Sequence, residues 1–352
     1  MRIVFIGASH WHLPLYLDPA LQMPGVTIAG VADPNAEVVD ALKAKLGCAG
    51  DTDYRELCRR VKPDLVIALG RHCDMPDEAR FLIAEKIPFA LEKPCGLNEH
   101  DVAAIARESE AAGAFAAVPL VFRHGDFFRM LQEESRDTIQ YMSFRFIAGF
   151  PQRYRDAGCA WMLDPALSGG GCTINLAPHF LDLAVALMGP DVTVHQAALS
   201  NAAWHEKIED YSCVTLARGA DRCVIETGYL YPAPTSTFDM HYAIRTPRRY
   251  IVAHDPETIE VVETDGRRER RRSLTTNVPH YATFMSETIA RLRAAKPPLA
   301  SLADMVPVMR LVDAVYAKHD PLIPAQAGIQ GQELGPRFRG DERDNSIQLG
   351  MR

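Results

Sequence analysis

The side chain with the most chemical reach in this chain is the lysine of Phe89-Ala90-Leu91-Glu92-Lys93-Pro94-Cys95-Gly96. A short apolar run, Ile87 to Leu91, ends there in a carboxylate, an amine and a proline. The pattern reads as a buried strand that delivers a charged pair at its carboxyl end, where open α/β sheets bind ligands. A Lys-Pro bond has lost most of the trans preference of other peptides, so a cis bond is accessible at that point. A second chemical group lies downstream in Gly169-Gly170-Gly171-Cys172-Thr173-Ile174-Asn175-Leu176-Ala177-Pro178-His179. Histidine titrates near neutrality and can take or give the proton of an alcohol. If the segment is helical past its glycines, Asn175 and His179 share one face a turn apart, and Pro178 is a candidate kink. Asn175 could bond a substrate or fix the histidine tautomer, and Asp182 could orient the ring. Lys93, His179 and Asn175 are the candidate catalytic residues.

The candidate binding residues start at the first strand. Gly7-Ala8-Ser9-His10-Trp11-His12 follows an apolar strand and precedes a segment that can be helical. A strand, a tight turn and a helix bring backbone amides to a pyrophosphate. Of the usual three glycines only Gly7 is present: Ser9 stands at the second position and His12 at the third. Gly7, Ser9, His10, Trp11 and His12 are candidate cofactor contacts, with the histidines either touching phosphate or merely filling the turn. Asp33 ends the second strand, where a carboxylate bonds ribose hydroxyls and repels a 2′-phosphate, which favours NAD while leaving NADP possible. Glu92 and Lys93 complete the cofactor set. Arg153, Arg155 and Trp161 could bind a hydroxylated or acidic substrate together with Lys93, Asn175 and His179; the alternative is a solvated loop. There is no metal-ligand spacing, so no metal is expected, and no nucleophile elbow.

The elements that must position these residues fall into two patterns. Strands at residues 2–7, 26–32, 64–69, 87–91 and 114–118 alternate with helices at 13–23, 36–46, 53–61, 76–85 and 98–112. Alternation of this kind gives a parallel sheet covered on both faces. Gly47 reads as a helix C-cap, and Asn98 with Asp101 as a capping box. A helix at 122–134 leads into a different layer. Extended runs follow at 138–147, 192–199, 211–217, 222–229, 237–245, 249–253 and 258–263, interrupted by one helix around 176–188. They predict a largely antiparallel sheet. Arg267 to Arg272, after an Asp265-Gly266 turn, reads as a solvated hairpin edge. A final helix spaces Leu302, Val306, Met309, Val312 and Tyr316 three or four apart. Residues 321–352 lack apolar periodicity and read as a disordered tail; they resemble the read-through of a dispersed intergenic repeat.

Composition narrows the class of function. A length of 352 residues suits two domains. A net charge of −7 leaves no basic surplus for nucleic acid. No apolar run approaches a membrane span, and the chain enters a strand without a leader. The eight cysteines form no Cys-x-x-Cys pair and read as reduced cytoplasmic thiols.

Taken together, the chain resembles the Gfo/Idh/MocA family of NAD(P)-dependent oxidoreductases over about residues 1–319. The resemblance rests on Glu92-Lys93-Pro94 and the Gly169–Asp182 block. Asp53-Tyr54, Pro63-Asp64, Asn277-Val278-Pro279-His280-Tyr281 to Phe284 and the final helix add to it. It implies an N-terminal Rossmann, doubly wound parallel sheet at 1–120. It also implies a C-terminal α+β domain at 121–319, whose large, mostly antiparallel open sheet builds dimers or tetramers. It carries the family's lysine onto Lys93, near nicotinamide and substrate hydroxyl, and its acid/base histidine onto His179. The expected activity is hydride transfer between NAD(P) and a CH–OH carbon of a sugar, inositol or related polyol. The family usually has Asp where this chain has Asn175. That departure and the replaced glycines support an alternative, a regulatory protein that binds dinucleotide or sugar without turnover. A third possibility is reduction of an unsaturated or aromatic carbonyl.

Overall fold

The computed structural model describes residues 1–132, 139–232 and 239–318. The expected tail therefore lies outside the described residues, as do the end of the 122–134 helix and the starts of the strands expected at 138 and 237.

The first sheet is parallel, with β1 (Arg2–Ile6), β2 (Thr27–Ala32), β3 (Ala49–Asp51), β4 (Leu65–Ala68), β5 (Phe89–Leu91) and β6 (Ala116–Ala117) in the order β3-β2-β1-β4-β5-β6. Every residue of β4 and β5 is buried, as strands covered on both faces require. The order reverses between β1 and β4, and a crevice opens at such a switch point, beyond the carboxyl ends of the strands. The helix caps follow the sequence: Gly47 is left-handed at φ 63°, and the Asn98 side chain accepts from the Asp101 amide at 3.0 Å. The return bond from the Asp101 carboxylate goes to the amide of Leu97, one residue earlier than in a regular capping box. β3 was not foreseen. Three residues around a glycine carry no periodic signal, and pairing with β2 alone makes them a strand.

The second sheet has eight strands: β7 (Tyr141–Gly149), β8 (Thr193–Ser200), β9 (Tyr211–Arg218), β10 (Asp221–Tyr231), β11 (Asp239–Arg245), β12 (Arg249–Asp255), β13 (Thr258–Glu263) and β14 (Arg268–Arg272). Their order is β14-β13-β12-β11-β7-β10-β9-β8. All pairings are antiparallel except β7 with β10. β7 alternates buried and half-buried positions, the mark of a sheet with one covered face. The arginine run forms β14, an exposed edge whose charges discourage pairing with another chain.

Two helices return to the first sheet. His280–Arg293 places Tyr281, Phe284, Met285 and Ile289 in the core formed by Ile3, Phe5, Tyr16 and Ile67. Leu302–Lys318 contributes buried Met305, Met309 and Val312 to the core that runs on into the second sheet. The helix expected from residue 122 is instead a 3-10 turn, Val121–His124, and a helix, Asp126–Gln132, divided at Gly125. Among the described residues no single helix is long and apolar enough to cross a membrane.

Candidate functional site

β5 carries its chain straight into the Lys93–Pro94 bond, which is cis. Glu92 and Lys93 are 1% and 2% exposed, so a carboxylate and an amine are both buried at this strand end. Buried charges need partners, and these have them. Glu92 accepts from the Lys93 amide at 3.0 Å and from the Tyr16 hydroxyl, and His12 Nδ1 stands 3.4 Å from it. It thus fixes the lysine backbone and does not pair with the ammonium. Lys93 Nζ donates to both the carbonyl and the side-chain oxygen of Asn175, each at 2.8 Å. Asn175 Nδ2 in turn donates to the hydroxyls of Tyr154 at 2.7 Å and Tyr229 at 3.0 Å. Burial pulls the Lys93 ammonium down to about 8, against the attraction of Glu92.

Asn175 is held from its own helix start. Gly171 and Thr173 donate their amides to the buried Glu209 carboxylate at 2.9 Å each, and the Tyr316 hydroxyl adds a bond at 2.8 Å. These bonds satisfy donors that a helix leaves orphaned. The helix runs Cys172–Leu176, breaks at Ala177 and restarts as Pro178–Met188, which is bent by 56° from the segment Pro165–Leu176. Pro178 is the first residue of the second piece, where its missing amide costs nothing. Phe180 then stacks on Phe144 of β7 with ring centroids 5.0 Å apart, which fixes the rotation of the helix that carries His179. Such a pair contributes about 0.5–1.5 kcal/mol beyond its buried area.

His179 is buried edge-on to Phe122, and its Nδ1 has no partner among the described residues. Burial, then the charge of Lys93, pulls it down to about 3, so the ring is neutral. Asp182 does not orient it. Arg123 takes that carboxylate at 2.6, 3.0 and 3.1 Å and also binds Asp304. A spacing of three along a helix gave proximity, but the guanidinium was the stronger partner.

Beside this chamber lies a cavity of about 700 Å³ at the switch point. Gly7, Ser9, His10, Asp33, Tyr54, Arg55, Gly70, Glu78 and Trp161 are among its walls. Gly7 adopts φ +68°, and a Cβ there would stand 2.5 Å from the Leu69 carbonyl, so only glycine lets the turn cross β4. Asp33 is buried and accepts from the amides of Ser9 at 2.7 Å and Asn35 at 2.9 Å. The other amides of the turn are also engaged. His10 N donates to the Gly7 carbonyl at 3.1 Å and His12 N to the His10 ring at 3.0 Å. The Cys159 thiol donates to the Ser9 carbonyl at 3.2 Å.

Rings separate cavity from chamber. His10 stacks on Trp11 at 3.9 Å, Trp161 stands 6.1 Å from Trp11 and 5.1 Å from His72, and Trp11 meets Tyr154 at 5.0 Å. Burial foremost pulls His10 and His12 well down and His72 to about 3. Arg153 reaches inward, donating to the Tyr154 hydroxyl at 2.6 Å and lying over the rings of Tyr154 and Tyr229. Arg155 does not join. It is exposed and pairs with Glu206 at 2.9 Å.

Sequence reasoning missed Tyr16, Tyr229, Glu209, His72, Cys159 and Glu78, and gave Tyr154 no role of its own. Tyr154 lies between the two arginines that were singled out, and its position was the available signal. Nothing in sequence links Tyr16 to Glu92 or Glu209 to Gly171.

The architecture and the buried Lys93–Asn175 pair define a class: a two-sheet protein with a dinucleotide-type crevice and an amine at its edge. Residues 129–246 match the family model described as the GFO/IDH/MocA C-terminal domain. Solved structures align over nearly the whole chain. An oxidoreductase from Agrobacterium radiobacter, in complex with NAD+, L-tartaric acid and magnesium, is 18% identical, with 90% of this chain and 96% of that one covered and a TM-score of 0.76. Levoglucosan dehydrogenase in complex with NADH and levoglucosan is 14% identical, with 90% and 96% covered and a TM-score of 0.76. A 3-ketoreductase from Actinomadura kijaniata, in complex with NADP and TDP-benzene, is 15% identical, with 91% and 98% covered and a TM-score of 0.74. No curated protein matches the sequence. Residues 129–246 thus match the family's C-terminal domain, and the fold is that of the solved NAD(P)-bound oxidoreductases over nearly the whole chain.

Proposed function

We propose that the protein is an NAD(P)-dependent oxidoreductase, with NAD preferred, acting on a CH–OH carbon of a sugar, inositol or related polyol. The observation that carries the reading is the buried Lys93 ammonium, fixed by Asn175, whose charge is felt by His179, a ring with no partner at Nδ1 among the described residues. A bound dinucleotide would supply a nicotinamide that accepts or returns the hydride. Gly7 and Asp33 fit its adenosine half. The amides of the turn are occupied, so a diphosphate needs the His10 ring to leave the His12 amide. Lys93 would hold the substrate oxygen and stabilise alkoxide character as the C–H bond breaks. His179, neutral when buried, would take the hydroxyl proton at Nδ1. Arg153 and Trp161 would line the substrate position. The dinucleotides and sugars in the complexes of structurally similar proteins support the same reading.

We further propose the division at about residue 120 and self-association into a homodimer or homotetramer through the second sheet. The occupied turn amides and Asn175 favour one other reading, a dinucleotide-binding regulatory protein without turnover. A panel of sugars, polyols and inositols assayed for reduced nicotinamide, beside a direct titration with NAD, separates them. Turnover on any panel member sinks the regulatory reading. Saturable NAD binding with no turnover across the panel sinks the enzymatic one.

A further inference from the structure

Glu78 is the buried acid in this cleft that the reading above leaves without a role. It projects from the first turn of the helix Met75–Ala84, is 6% exposed and forms part of the cavity wall. Its carboxyl lies against Gly70, which makes the room: a Cβ there would lie 2.1 Å from Glu78 Oε1. The other oxygen, Oε2, is buried with no partner among the described residues. The surrounding charges are mostly negative. Asp74 and Asp77 belong to the start of its own helix, Asp33 faces it from the end of β2, and Tyr54 lies across the cavity. Arg55 opposes them from the preceding helix, Tyr54–Val61, stacked 4.5 Å over Tyr54, while Arg71 is spent on Asp74 at 2.6 Å. A carboxylate in that company is repelled by Asp74 and Asp33 and opposed only by Arg55 among the arginines. Burial, then Asp74, accordingly pushes the Glu78 carboxyl up to about 8. Near neutral pH it is an acid with an O–H to donate, and the described residues offer that O–H no acceptor.

We propose that Glu78 is a ligand-binding residue of the adenosine end of the cleft, where its neutral carboxyl donates a hydrogen bond to an acceptor atom of the dinucleotide's adenosine. The inference rests on the dinucleotide reading given above and adds a residue and a pH dependence to it. Ionisation removes the donor and adds a charge beside Asp33 and Asp74, so affinity falls as pH rises through about 8.

Isothermal titration of the full chain with NAD and with ADP-ribose, at about pH 6.5 and about pH 9.5, tests it. The wild type is expected to lose roughly 10-fold in affinity across that range, the equivalent of about one pKa unit of differential interaction. Glu78→Gln keeps a donor of the same shape and cannot ionise, so it should bind equally at both pH values, within about twofold, near the acidic wild-type value. Glu78→Leu should bind weakly at both. Lys93 also titrates near 8, but it persists in Glu78→Gln; an equal loss in that variant assigns the effect to Lys93 and overturns the proposal. Wild-type affinity that does not change with pH overturns it as well. Failure of both ligands to bind any variant at either pH overturns the dinucleotide reading itself, a different result.

Discussion

The two ends of the cleft are built on opposite rules. The end proposed for adenosine is open and acidic: a cavity of about 700 Å³ with Asp33, Asp53, Asp74, Asp77 and Glu78 in its walls. The Lys93 end is closed. Its polar groups are buried, bonded to one another or held neutral, and His10, Trp11 and Trp161 stand between it and the cavity. The first end is shaped to admit a ligand and the second to keep water from a charge. In a dry site one ammonium stabilises a developing alkoxide far more strongly than it would in water. Substitutions at the closed end should therefore change rate and leave affinity alone, while those at the open end should do the reverse.

The largest expected effect is Lys93→Ala. Loss of a buried donor aimed at developing charge typically costs about 100- to 1000-fold, and here it also strips Asn175 of its partner. Turnover should fall by at least about 1000-fold on those grounds. NAD affinity, measured by direct titration, should stay within about threefold, because no cavity wall is touched. Full activity in this variant would remove the lysine from the mechanism. A collapse of affinity would instead erase the contrast between the two ends.

Asp33→Asn comes next and should act in the opposite sense. A carboxylate acceptor contributes about 1.5–3 kcal/mol per charged hydrogen bond, so NAD affinity should drop by roughly 10- to 100-fold. NADP should lose less, since the repelling charge has gone. Saturated turnover should hold within about threefold, because no group in the reaction chamber changes. Equal losses for both dinucleotides would show that Asp33 only braces the Ser9 and Asn35 amides.

These two variants also mark what could be read before the structure. Lys93 and Asp33 were legible because each ends an apolar run in a strand–helix alternation, and strand ends are where such sheets work. The parallel sheet was legible for the same reason, since its strands are buried on both faces. β3 was not, because three residues with a central glycine are specified only by a neighbour. Pro178 predicted the kink, but the true partner of Asp182 lay 59 residues back, at Arg123. Spacing along one helix shows which residues share a face and says nothing about what another segment brings to that face. For that reason Tyr229 on Asn175, His72 beside Trp161 and the carboxylate under Gly171 came only with the fold.

The pH profile tests the closed end without a substitution. Lys93 titrates near 8 because burial lowers it below an ordinary lysine. Its ammonium is present below that value and lost above it, while His179, already pulled down to about 3, stays neutral throughout. Turnover limited by the cation should be level on the acidic side of about 8 and should decline by about tenfold per pH unit beyond it. A rate that rises through the same range would make neutral Lys93 the proton acceptor.

The smallest effects come from the two arginines that flank Tyr154 in the chain. Arg153 lies over Tyr154 and Tyr229, and its charge helps to hold Lys93 down. Arg153→Ala should move the alkaline limb to higher pH by a fraction of a unit and cost a few-fold in KM, on the scale of about 0.5–2 kcal/mol for a partly desolvated cation on aromatic rings. Arg155 is exposed and tied to Glu206, and surface pairs of that kind contribute about 0–1 kcal/mol to stability and nothing to a site they do not touch. Arg155→Ala should leave kcat, KM and the alkaline limb where they are. If Arg155→Ala shifts the limb and Arg153→Ala does not, the chamber is open to solvent on that side, and the contrast between a sealed end and an open one fails at the wall where the two residues diverge.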